Sequence, residues 1–200
     1  MIRNRSLLYA IITLAVAAVA LLPAAAQSGV GLSTVTIDFS SFNSDPSTIE
    51  PIDGDYFAAD GIRFSTPCSP SGCSILEVGM VQDDAALRQR PFLGGFEASF
   101  SRPISSVAVR FAPGLQGTAT YVLRAHSASG DILASTSTTV TQDFGDPENT
   151  GFGHINLGLN DLPAPAKRLT LDSIFVRSSA TWITAIDFGI HTITYTHWTR

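Results

Sequence analysis

Short runs of alternating apolar and polar residues recur along most of this 200-residue chain. Val35, Ile37 and Phe39 fall on one face of an early run, and Val107 and Phe111 share a face in a later one. Successive side chains of a β-strand point to opposite sides, so a period of two indicates strands that each bury one face. The pattern therefore predicts an all-β chain.

Turn-forming residues separate these runs, as at Asp53-Gly54 and at Ser129-Gly130-Asp131. The predicted strands are 34–39, 61–65, 75–81, 95–100, 104–111, 118–128, 132–141, 169–177 and 182–196. Helix signals are confined to a turn or two at 83–90, which Pro91 would end. About nine strands without helices predict an antiparallel β-sandwich, because each sheet must bury one face against another.

The N-terminus has the three parts of a cleavable signal peptide. Arg3 and Arg5 form a basic segment, 7–22 is apolar apart from Thr13, and Pro23 precedes three alanines. The apolar run is shorter than the roughly 20 residues of a membrane-spanning helix. We therefore expect cleavage after residue 26, a flexible lead-in at 27–33 and a single sandwich domain at 34–197. The protein is expected to be secreted or periplasmic, without a stable membrane anchor.

The charge balance limits the partners. The chain has 12 basic and 17 acidic residues, and the two arginines of the signal peptide leave on cleavage, so the net charge falls from −5 to −7. Nucleic acids and anionic membranes bind basic surfaces, and no basic stripe is present. The sequence thus predicts no nucleic-acid partner.

Cys68 and Cys73 are the two cysteines of the chain. Paired cysteines in exported proteins usually form disulfides, and Pro70 and Gly72 favour a bend between these two. A zinc site is the alternative, although structural zinc normally takes four ligands. A disulfide closing this short loop is the expectation.

Five segments give the chain a likeness to known domains. They are Val35–Phe39, Tyr56 with Gly61–Phe64, Phe100–Val107, Tyr121–Leu133 and Ala185–Ile190. In their order and composition they resemble jelly-roll β-sandwich domains of exported bacterial proteins, which are similar to galactose-binding-like and carbohydrate-binding modules. The resemblance implies a jelly-roll-like fold and a binding function.

Two departures from this family pattern bear on site prediction. Many relatives carry a second acidic residue directly after the closing Ile-Asp, where this chain has Phe188. Some relatives also end in a hydrophobic sorting helix, whereas this chain ends in His197-Trp198-Thr199-Arg200. A metal site and a C-terminal anchor are therefore not carried over from the family.

Acidic residues nevertheless suggest a structural calcium ion. Calcium takes six to eight oxygen ligands, which carboxylate-rich loops can supply. Asp38 and Asp187 lie on the first and last predicted strands, which are neighbours in the resembling modules. These two are the first candidate ligands, and Asp53 and Asp60 of the 53–60 loop come second. Ordinary acidic turns are the alternative.

Aromatic residues provide candidate sugar-binding positions, because sugar faces stack on exposed rings. The candidates are Trp182, Tyr56, Tyr195 and Trp198. Burial is the alternative for Trp182, since tryptophan is highly buried on average. Tyr56 and Tyr195 have the alternative of core packing.

Motifs of catalysis are missing from the sequence. The histidines, at 126, 154, 191 and 197, lack metal-site spacing and are expected on strand surfaces or in loops. No nucleophile elbow or phosphate loop is present either. The sequence therefore favours a non-catalytic, secreted binding domain for carbohydrate. The alternative is a structural or adhesive envelope protein that contacts other proteins.

Overall fold

A computed structural model describes residues 31–42, 50–65, 68–69, 72–73, 75–81, 84–90, 95–113, 117–142, 153–176 and 188–199. Leu32–Thr199 forms one compact unit. The strands are β1 (Gly31–Asp38), β2 (Glu50–Pro51), β3 (Ile62–Ser65), β4 (Cys68–Ser69), β5 (Gly72–Cys73), β6 (Ile75–Val81), β7 (Asp84–Arg90), β8 (Gly95–Pro113), β9 (Gly117–His126), β10 (Ile132–Gln142), β11 (Ile155–Leu159), β12 (Ala166–Val176) and β13 (Phe188–Thr199). Short 3₁₀ helices span Phe39–Phe42 and Ala58–Asp60.

The 19-residue strand β8 organises the fold because it belongs to two layers. Its first half pairs with β12 along one edge and with β3 along the other. Its second half pairs with β13 and β11 instead. Hydrogen bonds thus link eleven of these strands into two layers that share β8. The strand order of the first layer is β10-β9-β12-β8-β3. The strand order of the second layer is β11-β8-β13-β7-β6-β2, with β1 beside β13. Strands β4 and β5 form a separate small sheet.

Aromatic rings fill the space between the layers. The ring of Tyr121, on β9, lies 4.8 Å from that of Phe111 on β8 and 5.6 Å from that of Phe188 on β13. Strand β9 pairs with neither β8 nor β13, so these contacts cross from one layer to the other. Phe96 also meets Phe188, at 5.2 Å. The chain is therefore an antiparallel sandwich, as the sequence pattern predicted.

Most predicted strands are present, and the differences have local causes. The predicted strands at 95–100 and 104–111 form one continuous strand, β8. Pro103 lies inside this strand and does not start a new one. The run at 84–90 is strand β7, not a helix, since it pairs with β6 throughout and with Ile190 of β13. Strand β11 was not predicted, because Gly158 interrupts its short apolar run.

The tight turn predicted at Gly130 is confirmed. Gly130 has φ of +96°, a conformation that suits glycine, and its N–H donates to the Ser127 carbonyl at 3.1 Å. The buried face predicted for Phe39 and Phe111 is confirmed as well, and Phe64 and Phe100 are also buried. Within the residues described, no helix is long and apolar enough to cross a membrane. The predicted signal peptide lies outside the described residues.

Candidate functional site

A pocket of about 330 Å³ opens beside the point where β8 passes from one layer to the other. Segments from four separate parts of the chain form it: β1, the 3₁₀ turn before β3, the middle of β8 and the end of β13. The residues lining it are Val35, Ala58, Ala59, Asp60, Gly61, Ser101, Arg102, Tyr195 and His197. Its volume is at the small end of the roughly 300–1,000 Å³ typical of small-molecule sites.

A glycine turn shapes one wall. Gly61 ends the 3₁₀ helix with φ of +87°, and its N–H donates to the Ala58 carbonyl at 3.1 Å. Its own carbonyl accepts a hydrogen bond from the Ser101 N–H at 2.9 Å, which fastens the turn to β8. A Cβ at this position would lie 3.0 Å from Ser101 Oγ and 3.4 Å from Tyr195 Oη. Only glycine fits both the backbone angle and this space.

Tyr195 forms part of the pocket floor and is buried. Its hydroxyl donates to the backbone carbonyl of Asp60, which joins β13 to the glycine turn. Burial, and secondarily the nearby negative charge of Asp60, raise the pKa of Tyr195 to about 12. The hydroxyl therefore stays protonated at neutral pH and holds the turn as a hydrogen-bond donor.

His197 is the second buried ring of the floor. Its Nδ1 lies 3.1 Å from the carbonyl oxygen of Trp198. A carbonyl oxygen can only accept, so Nδ1 carries the hydrogen, and Nε2 of the neutral ring is an acceptor. No described residue hydrogen-bonds to Nε2. His197 thus offers an acceptor to the site.

Asp60 and Arg102 place opposite charges on the pocket wall, and both side chains are exposed. Neither makes an ion pair with another residue of the described ranges. The described ion pairs are Arg63–Asp55, Arg88–Glu77, Arg124–Asp172 and Arg168–Glu97. The pocket therefore combines a carboxylate, a guanidinium and an imidazole acceptor over a buried aromatic floor. Such a set can bind hydroxyl groups as donors and as acceptors.

The three described candidate calcium ligands, Asp38, Asp53 and Asp60, have different surroundings. Asp38 Oδ1 accepts from Ser40 N at 3.0 Å and from Ser40 Oγ at 2.7 Å, which caps the first 3₁₀ helix. Asp53 Oδ1 accepts from Asp55 N at 3.0 Å. Asp60 lines the pocket, and Asp187 lies outside the described residues. Across the described ranges, no three His, Cys, Asp or Glu side chains come close enough to hold a metal ion. Calcium binding stays a prediction.

The predicted sugar-stacking residues have different surroundings. Tyr56 is 57% exposed and stands edge-on to the buried Phe57 ring at 5.0 Å, so the alternative of core packing was wrong for it. Tyr195, by contrast, is buried. Trp198 is partly buried and directly follows His197. Trp182 lies outside the described residues.

The surface or loop position expected for the histidines was wrong for three of the four, whereas His154 lies in the loop before β11. His126, His191 and His197 are buried, and His154 is partly buried with its ring 4.5 Å from that of His191. The cause at His126 is a complete set of partners: Nδ1 lies 3.2 Å from the Gly130 carbonyl and Nε2 lies 3.1 Å from Thr170 Oγ1. Polar groups can be buried when they are hydrogen-bonded.

Arg102 and His197 are the pocket residues that sequence reasoning missed. Arg102 sits within a resembling segment, Phe100–Val107, but its side chain had no distinguishing neighbour in the sequence. His197 lies in the terminal residues of the predicted domain. Strand pairing brings the two residues together, because His197 of β13 pairs with Ile104 of β8, two positions from Arg102. This pairing joins distant parts of the chain, so the local sequence does not reveal it.

In the part of the chain that the structure describes, an antiparallel β-sandwich carries a small polar pocket where β8 passes between the layers. No protein-family model matches the chain, and no curated protein matches it.

Several solved structures are similar in part. One is the arabinose-bound α-L-arabinofuranosidase MgGH51, with a TM-score of 0.42 and 12% identity over 80% of this chain and 25% of that one. Another is CsCBM6-3 from Clostridium stercorarium in complex with cellobiose, with a TM-score of 0.30 and 13% identity over 80% and 92%. A third is TmCBM61 in complex with β-1,4-galactotriose, with a TM-score of 0.30 and 11% identity over 82% and 94%.

This chain spans about a quarter of the arabinofuranosidase chain and nearly the whole length of the two modules. Carbohydrate-binding modules, the class that the sequence resembles, are thus among the structural neighbours. At these scores and identities the matches do not assign the chain to a family.

Proposed function

We propose that this protein is an exported, non-catalytic domain that binds carbohydrate in the pocket between Asp60 and Arg102. The observation that carries the proposal is the combination of two exposed, opposite charges with a buried aromatic floor in a pocket of about 330 Å³. Specific small-molecule sites combine apolar walls with a few placed polar groups, and this pocket has both.

Sugar hydroxyls suit these groups because each hydroxyl both donates and accepts. Asp60 and His197 Nε2 accept from a hydroxyl, while the guanidinium of Arg102 donates several N–H groups in a fixed fork. The exposed hydroxyl of Ser101 can do either. A polyol can therefore satisfy the whole wall, whereas an apolar ligand would leave two charges desolvated and without partners.

Binding is favoured over catalysis by the way His197 is held. Ser101, His197 and Asp60 share the pocket, which is the composition of a hydrolytic triad. A triad requires hydrogen bonds from the nucleophile to the base and from the base to the acid. Here Nδ1 of His197 is used by the Trp198 carbonyl, and no hydrogen bond joins the three residues within the described part of the chain.

A titration with defined sugars tests the proposal. Cellobiose and β-1,4-galactotriose are suitable first ligands because two structural neighbours were solved with them. We expect ¹⁵N-labelled protein to show concentration-dependent shifts for amides near Gly61 and Ser101. Arg102→Gln should weaken binding at least about tenfold, since a hydrogen bond to a charged group contributes about 1.5–3 kcal/mol.

Arg110→Gln is the matched control. Arg110 is a partly exposed arginine on the same strand, eight residues further along and thus at most about 26 Å from Arg102 at about 3.3 Å per residue. Its substitution should leave affinity unchanged. Absence of shifts with a wide panel of glycans, or equal losses in both arginine variants, would contradict a sugar site in this pocket.

Strand β10 supports the second candidate, an envelope protein that contacts other proteins. β10 lies at the end of its layer and pairs with β9 but with no other described strand. Its sequence, Ile132–Gln142, holds no charged residue and no proline, although exposed strand edges usually carry them to prevent strand addition. An added strand from another protein would complete the sheet.

Light scattering after size-exclusion chromatography tests this candidate. A concentration-dependent oligomer, or a captured partner, that Ser137→Lys abolishes would favour it. Ser99→Lys on the central strand β8 is the control, since both serines are exposed. A monomer at all concentrations without a captured partner would rule out this function for β10.

A further inference from the structure

We infer that the pocket selects an uncharged sugar over the acidic and the amino form of the same sugar. The inference rests on the proposed function, because it names the class of carbohydrate that this site takes. The feature behind it is the presence of one negative and one positive side chain, Asp60 and Arg102, in one small cavity.

The pocket lining carries one charged side chain of each sign. Other described carboxylates beside arginines are compensated locally, as Asp55 is by Arg63 at 3.4 Å. Asp60 and Arg102 have no such partner among the described residues, so their charges are available to a ligand. A site with one charge of each sign has no net preference for an anion or a cation.

Lys167 is a cation beside the pocket wall but outside its lining. Lys167 Nζ donates to the carbonyl of Ser101 at 2.7 Å and to that of Phe100 at 3.4 Å. Its side chain is not part of the pocket lining. The ammonium group therefore supports the backbone of the wall, and the cavity itself contains Arg102 as its cationic side chain.

The pocket is small enough that a charged ligand group interacts with the charges of both Asp60 and Arg102. A sphere of about 330 Å³ is about 9 Å across, which is close to the Debye length of about 8 Å at physiological salt. A carboxylate placed against Arg102 therefore remains within range of Asp60. An ammonium group placed against Asp60 likewise remains within range of Arg102.

Hydrogen bonding acts in the same direction. A uronate carboxylate is an acceptor, and so are Asp60 and Nε2 of His197, so any contact between them lacks a hydrogen. An ammonium group is a donor and has the same conflict with the guanidinium of Arg102. A neutral hydroxyl rotates to suit either wall, which a charged group cannot do.

Matched sugars provide the test. The methyl glycosides of glucose, glucuronic acid and glucosamine, and the corresponding galactose series, are titrated into wild-type protein at pH 7 and followed by NMR. We expect the neutral member of at least one series to bind at least about fivefold more tightly than either charged member, which corresponds to about 1 kcal/mol.

Charge removal should then redirect selectivity. Asp60→Asn leaves a positive wall and should make the uronate the preferred ligand, whereas Arg102→Gln should favour the amino sugar. Asp60→Asn keeps the backbone carbonyl that accepts from Tyr195, so the turn is retained. Thermal unfolding checks that both variants fold, and Arg110→Gln should keep the wild-type order.

The outcomes separate the two proposals. If wild type binds a uronate or an amino sugar as tightly as the neutral form, the selectivity inference is wrong while the carbohydrate function stands. The same holds if Asp60→Asn and Arg102→Gln leave the order of ligands unchanged. If neither series binds and the wider panel also fails, the proposed function is overturned, and the inference with it.

Discussion

Tyr195 shows how one side chain can fix a site built from distant parts of the chain. Its hydroxyl donates to the carbonyl of Asp60, 135 residues away in sequence, and so ties the last strand to the turn before β3. The same ring packs on Phe100 with centroids 4.9 Å apart. A hydrogen bond and an aromatic contact therefore position the pocket floor relative to its wall.

The raised pKa of Tyr195 predicts a loss of stability in alkali. The folded-state pKa of about 12 lies above the ordinary value of 10.0, so folding favours the protonated hydroxyl. That contribution is complete below about pH 10 and disappears as the pH rises through 12. Urea unfolding at a series of pH values should show wild type losing stability over this range.

Tyr195→Phe should flatten that part of the pH profile and lower the free energy of unfolding at pH 7 by about 0.5–1.5 kcal/mol, the usual contribution of one hydrogen bond. Tyr56→Phe is the control, because the Tyr56 side chain is 57% exposed, whereas Tyr195 is buried. An alkaline profile of Tyr195→Phe that matches wild type would show that Tyr195 does not set it.

The sequence predicted the burial of apolar residues well and the burial of polar residues badly. Val107 and Phe111 share one face of an alternating run, so the pattern alone predicted their burial. His197 alternates in the same way with Ile193 and Tyr195, but a polar residue carries no signal for burial until its partner is known. That partner, the Trp198 carbonyl, depends on the conformation of the strand end.

At the level of elements, β7 shows where local preference gives way to pairing. Its sequence, Asp84–Arg90, is rich in residues that favour helices. It is nevertheless a strand, because β6 supplies a full ladder of partners and Leu87 is buried against the core. Such pairing joins separate segments, so a local sequence pattern does not reveal it.

The short β4–β5 hairpin predicts a disulfide. Cys68 and Cys73 are direct partners in the antiparallel register. Such partners have Cα atoms about 4.5–5.5 Å apart, inside the range of about 4.4–6.8 Å that disulfides span. Alkylation of the denatured protein should therefore add two labels after reduction and none before it.

Loss of this crosslink should have a modest effect. For a loop of about six residues, chain entropy predicts that Cys68→Ser with Cys73→Ser lowers the free energy of unfolding by about 2 kcal/mol. Urea titrations of the two proteins measure the difference. Two labels without reduction would mean that both thiols are free and that no disulfide joins the paired cysteines.

On the scale of the whole molecule, sharing β8 between layers makes the sandwich one cooperative unit. Phe111 lies on the half of β8 in the second layer and touches Tyr121 of the first. Neither layer can lose this strand without exposing the core of the other. We therefore expect far-ultraviolet circular dichroism and tyrosine fluorescence to report the same unfolding transition.

Phe111→Ala tests this coupling. The Phe111 side chain is completely buried, so its truncation should lower the free energy of unfolding by about 3–5 kcal/mol. The circular dichroism and fluorescence transitions should shift together. Ile174→Ala is the control, because Ile174 is 51% exposed and surface substitutions usually change stability by less than about 0.5 kcal/mol. Two separate transitions in Phe111→Ala would mean that the layers unfold independently.

The double role of β8 also limits how this chain can change in length. A one-residue insertion in a strand turns every following side chain to the opposite face. In most strands this would disturb one sheet, but in β8 it would misalign its pairing with both β12 and β13 and move Arg102 away from the pocket. Duplication, fusion and loop grafting in such a domain are therefore confined to segments outside Gly95–Pro113. A change of length in those segments leaves the pairing register of β8 with both layers intact.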